Sequence, residues 1–136
     1  MNPDPTLNDP LKTVLAFTSA YTRWETDMHA TPDRFTNEDI QQRRRQLLLD
    51  FCTHKKRAYV DGVAGYQKPP VYVDVNADTI AGVEQATRTR THVDTVQFES
   101  CAYRFVLMKK ADGWRIDSIK RQFPSIGKWE NALIGS

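Results

Sequence analysis

The sequence predicts an α+β fold, with N-terminal helices packed on a strongly curved antiparallel sheet in the manner of a cone. Three features carry that expectation. Apolar residues recur every three or four positions from Leu11 to Met28, the period of a helix that buries one side. Everything after Pro70 is β in character. Two β-rich runs, starting at Cys101 and Trp114, flank a polar break at Lys110-Ala111-Asp112-Gly113, where glycine can take positive φ at no steric cost. A length of 136 residues suits one domain and is too short for two ordinary ones. Its expected divisions are a loose start (1–9), a helical part (10–60), a sheet (71–123) and a C-terminal extension (124–136).

Asp9 followed by Pro10 marks a helix start: a side-chain oxygen to cap the first amides, then a residue that has no amide to satisfy. The helix uses Leu11, Val14, Leu15, Phe17, Thr18, Tyr21, Trp24 and Met28, and Thr31-Pro32 stops it. Thr36 with Asp39 reads as a near capping box for a second helix carrying Ile40, Leu47, Leu48, Phe51 and Cys52. Thr53 is expected to cap a short third helix with Lys55, Lys56, Arg57 and Tyr59. Asp61-Gly62 to Pro69-Pro70 is a turn-rich connection. A short strand is expected at Val71–Val75, then one from Thr79 to Thr91, then Val93 to Lys109 as one strand or as two joined by a bulge near Glu99-Ser100. Trp114 to Phe123 closes the sheet, and Lys128 to Ile134 is expected to form a turn of helix. Tyr103, Phe105 and Leu107 would face Trp114 and Ile116 inside. Val106 and Met108 are apolar too, so the outer face is expected to be covered by a terminal segment or by another chain.

Charge excludes some classes of function. The total is +2, but it comes in blocks: −4 over residues 1–40, +5 over 41–70, −3 over 71–100 and +4 over 101–136. Such alternation argues against a uniformly basic nucleic-acid binder and suits a patchy surface that meets a protein. No apolar run is long enough to cross a bilayer, and the first nine residues lack the form of a secretory signal, so a cytoplasmic protein with no membrane partner is expected. Cys52 and Cys101 read as buried reduced thiols; with His54 alone nearby, no zinc spacing appears, and no metal or cofactor is expected.

The candidates for proton chemistry are His29, His54, His92, Asp94, Tyr103 and Asp117. None belongs to a recognisable acid–base pair, and Asp117 beside Arg115 reads as half of an exposed cross-strand ion pair. Phosphate-cradling glycine loops, nucleophile elbows and dinucleotide fingerprints are absent from the sequence. The basic groups Arg43, Arg44, Arg45, Lys55, Lys56 and Arg57 are the candidate partner-binding residues, because the arginine fork pairs bidentately with carboxylates. Three consecutive arginines, however, point in three directions around a helix, and a solvated face is the plainer reading. No ordered stacking platform suggests RNA.

The hairpin from Tyr103 to Arg121, with its Gly113-Trp114-Arg115-Ile116 strand, resembles the terminal strands of the nuclear transport factor 2 fold. The run Phe51-Cys-Thr-His-Lys-Lys-Arg-Ala-Tyr59, with the Gln42-Arg-Arg-Arg-Gln46 helix before it and Pro69-Pro70 after it, resembles the bacterial immunity proteins built on that fold. The resemblance covers roughly Leu11 to Arg121; Phe123 to Ser136 match no such pattern. It implies a non-enzymatic protein that neutralises a cognate polymorphic toxin by binding it, and it gives Thr53, Tyr59, Tyr103, Gly113, Trp114, Ile116 and Asp117 structural roles. The alternatives on the same fold are an isomerase- or cyclase-like enzyme or small-molecule binder, and a module that forms a homodimer through its sheet.

Overall fold

The computed structural model describes residues 5–30, 36–54, 72–99 and 101–131. Helix α1 spans Pro10–Ala30 and α2 spans Asn37–Phe51. Asp9 Oδ1 accepts the Leu11 and Lys12 amides at 2.8 and 3.2 Å, so the cap reads as its sequence suggests. Thr36 and Asp39 form a full capping box at the head of α2, side chain to amide in both directions (3.1 and 3.2 Å). The residues from Lys55 to Val71, where a third helix and the Pro69-Pro70 connection are expected, lie outside the described residues.

Five antiparallel strands follow in sequential order: β1 (Ile80–Thr87), β2 (Arg90–Thr95), β3 (Ala102–Lys110), β4 (Gly113–Gln122) and β5 (Trp129–Asn131). Three expectations are corrected here. Tyr72 to Val75 is a turn, closed by Val75 N–H on the Tyr72 carbonyl at 3.0 Å, which sends both side chains inward and leaves Val73 outside. The long runs 79–91 and 93–109 divide elsewhere, into β1, β2 and β3. The first reversal falls at Arg88-Thr89, where the Thr87 hydroxyl accepts the Thr89 amide at 3.3 Å, so threonine makes a turn that no glycine or proline announces. Trp129–Asn131, expected in a helical turn, pairs with β4 as an edge strand.

The inner face of the sheet carries Val93, Phe105, Leu107, Trp114, Ile116 and Ile119, all buried against Val14, Phe17, Tyr21, Trp24 and Met28 of α1 and Leu47 and Leu48 of α2. Alternation alone cannot put both Ile116 and Ile119 inside. A bulge does so: Val106 pairs with Ser118 and Leu107 with Ile116, so Asp117 is the extra residue that resets the parity of β4. On the outer face Ala102, Val106 and Ser118 are buried as well. Part of that face is covered by the terminal strand: the Arg104 guanidinium lies 4.5 Å from the Trp129 ring centre while forking onto Asp94 at 2.8 and 2.9 Å. Both cysteines are buried thiols outside any disulfide.

Candidate functional site

Inside the cone, ring packs on ring. Tyr72 sits at the centre, with Phe17, Tyr21, Tyr103 and Phe105 at centroid distances of 5.3–5.9 Å, and Phe51 meets Phe17 at 6.2 Å. Among these rings lie two charged residues, Glu25 (1% exposed) and Arg44 (3% exposed). Burial pushes the Tyr21 hydroxyl up to about 12, against the opposing pull of Arg44. Burial likewise raises Tyr72, with Tyr21 and Tyr103 adding to it, and raises Tyr103, whose neighbour Cys101 adds to it. These phenols stay protonated at any physiological pH and do not act as bases.

Sequence reasoning passed over Glu25 and misplaced Arg44, although the signal was present. Glu25 stands four residues after Tyr21 and three before Met28. Arg44 stands four after Ile40 and three before Leu47. Both occupy core-facing positions of amphipathic helices. The triple arginine does point in three directions. Arg44 is turned inward and is not available to a partner, Arg43 is exposed, and Arg45 is half-buried with its guanidinium on Gln42 Oε1 at 3.2 Å. Lys55, Lys56, Arg57 and Tyr59 lie outside the described residues, as does the His29 side chain.

A second locus lies where α2 meets the β3–β4 hairpin. Thr53 donates its backbone amide to the Ile116 carbonyl (2.8 Å) and its hydroxyl to Asp117 Oδ1 (2.9 Å), so the bulge aims Asp117 at the chain leaving α2. Asp117, expected on the exposed face in a cross-strand ion pair, is half-buried here. Arg115 stands two residues before it on β4. It forks onto Asp112 at 2.6 and 3.0 Å and reaches the Leu49 and Cys52 carbonyls at 2.7 and 3.1 Å, closing the end of α2 with a cation where the helix dipole favours one. The guanidinium holds the Asp112 carboxyl below its ordinary range, and Asp112 in turn raises Arg115. Thr53, His54, Lys110, Ala111, Asp112, Arg115 and Asp117 line an open cleft of about 580 Å³ at this corner. Arg115 and Asp112 satisfy each other within it, an ion pair three residues apart. Among the described residues, no three His, Cys, Asp or Glu side chains converge as metal ligands.

Gly113, Trp114 and Ile116 sit at the hairpin and in the core. Gly113 takes φ +127° at the hairpin, Trp114 is buried with Lys109 Nζ 6.0 Å from its ring centre, and Ile116 is in the core. Tyr103 is half-buried in the ring cluster, and His92 is half-buried on β2 opposite Val106.

Among the described residues, two helices lie on a bent, open five-stranded antiparallel sheet whose inner face is packed with side chains, an α+β cone. The model of the NTF2 fold immunity protein family matches residues 9–132, and the chain belongs to that family. The match extends beyond Phe123, into the segment for which the sequence showed no resemblance, and includes β5. No curated protein and no solved structure matches the chain. No helix among the described residues is long and apolar enough to cross a membrane.

Proposed function

We propose that this chain is a non-enzymatic inhibitor that protects its cell by binding one cognate toxin of interbacterial competition in the cytoplasm. The observation that carries this reading is the family match across nearly the whole chain. The packed rings around Tyr72 support binding over catalysis, because the place where a cone-fold enzyme would hold substrate is occupied by side chains. Arg43 and Arg45 flank the inward Arg44 on its two sides, and from Arg45 the exposed Leu49, one turn on, leads to the cleft at His54, Lys110 and Arg115. Lys55, Lys56 and Arg57 follow in sequence. This surface suits an acidic patch on the toxin, with Leu49 as an apolar contact among the cations. A near-neutral chain with basic blocks is a poor match for a basic nuclease.

The test is co-expression with the product of the adjacent upstream gene. The toxin should be lethal alone, harmless beside this chain, and should elute with it as one complex. Arg43→Glu with Arg45→Glu should weaken capture at least tenfold. A neighbour that is harmless without this chain counts against the reading.

One observation favours a second reading. Glu25 is buried within electrostatic reach of three tyrosines, the kind of constellation that proton-moving cone enzymes use. Retained protection by Glu25→Gln separates the two: a binder tolerates the change if it folds, and an enzyme does not.

A further inference from the structure

Among the described residues, none covers strand β1. Seven of its eight residues are exposed, on both faces of the sheet, and Val83 is 50% exposed although its cross-strand partner Val93 is fully buried. It is the terminal strand of the sheet, and among the described residues no strand pairs with its outer edge. Natural edges are usually guarded by lysine, proline or inward charges. From Ile80 to Thr87 this one has neither lysine nor proline, and its one charge is Glu84. The opposite edge is guarded by brevity, since β5 has three residues.

We propose that β1 is a self-association edge, at which two copies of this chain join antiparallel around a two-fold axis through Val83. The charges at the strand's ends select this partner. Asp74 and Asp78 precede β1, while Arg88 and Arg90 follow it, and all four are exposed. An antiparallel neighbour of the same sequence brings each acidic end to a basic end; a parallel one sets like against like. Side chains that oppose each other across an antiparallel pair share a face, so a two-fold axis must pass through a residue. With the axis on Glu84 two carboxylates collide. With the axis on Val83 two valines meet, Glu84 faces Gly82, and Asp78 falls opposite Arg88. The irregularities at Ile80/Gly82 and Gln85/Thr87 limit flat pairing to the middle of the strand, so the dimer is concentration-dependent. A two-fold contact closes on itself, so the assembly stops at two.

The full chain in sedimentation equilibrium tests this. Mass should rise from monomer to dimer with concentration and no further. Val83→Lys should hold it at the monomer while leaving the circular dichroism spectrum unchanged. Asp78→Arg and Arg88→Asp should each lower the dimer fraction severalfold, and the double variant should restore it. A monomer at every concentration overturns the proposal, as does a double variant that fails to restore the dimer. Loss of toxin capture in Val83→Lys with mass unchanged overturns it too, by assigning the edge to the toxin. Toxin protection is scored separately, so failure here leaves the proposed function standing.

Discussion

A methyl group at position 113 has no room. A Cβ built there lies 2.5 Å from the Leu7 carbonyl oxygen and 2.7 Å from Leu7 Cβ, on a backbone at φ +127° that other residues rarely adopt. Gly113→Ala must therefore shift the N-terminal 3-10 turn Pro5–Asn8 or twist the β3–β4 hairpin, at a cost of about 1–3 kcal/mol, seen as a lower urea midpoint. The buried tyrosines set the alkaline limit of stability. Their folded values lie above those of the unfolded chain, so the stabilisation is complete below the usual phenol range and is lost as pH rises through the folded value. For Tyr21 the window runs from 10.0 to about 12, and Tyr72 and Tyr103 add to it in the same direction. Unfolding midpoints should fall steadily above pH ~10, with a slope on the order of 1.4 kcal/mol per pH unit for each phenol that titrates only when unfolded. Tyr21→Phe should flatten that slope, and should remove one unit of the tyrosinate absorbance that appears together with unfolding.

Local chemistry decides the ends of elements, and this is where sequence reading succeeds or fails. Asp9-Pro10, Thr36 with Asp39, and Ala111-Asp112-Gly113 were legible because each carries its own signal: an oxygen for free amides, or a residue that tolerates positive φ. Thr36→Ala should cost about 1 kcal/mol by removing one half of the capping box, a loss that thermal melts can read. The reversal at Arg88-Thr89 was illegible, since threonine reads as a strand former and its hydroxyl does the turning only once the strands align. The parity of β4 was illegible for a related reason: a bulge leaves no mark in a run such as Ile116-Asp-Ser-Ile119. Of the candidate site, the inward turn of Arg44 could be read from helical spacing, whereas the pairing of Arg115 with Asp112 depends on the turn between them. Arg115→Met should fray the end of α2, raising amide exchange from Leu48 to Thr53 while α1 stays protected.

At the scale of the molecule, a net charge of +2 conceals a surface divided by element. The positive block at residues 41–70 includes α2 from Gln41 onward and the run that follows it; the negative block at 71–100 includes β1 and β2. On the proposed function, a toxin steered by the positive block would approach α2 rather than the negative β1–β2 end, where the second copy is proposed to join. Steering acts on encounter and is screened by salt, whereas the packed contact that follows governs dissociation. Raising ionic strength from low to physiological should therefore slow association with the toxin roughly tenfold and change dissociation little. In Arg43→Glu with Arg45→Glu the slope of that salt dependence should collapse, because Arg43 is exposed, Arg45 is half-buried, and neither supports the core as Arg44 does. Stopped-flow association at several salt concentrations reads both effects. An association rate indifferent to salt would place the toxin on another face of the cone.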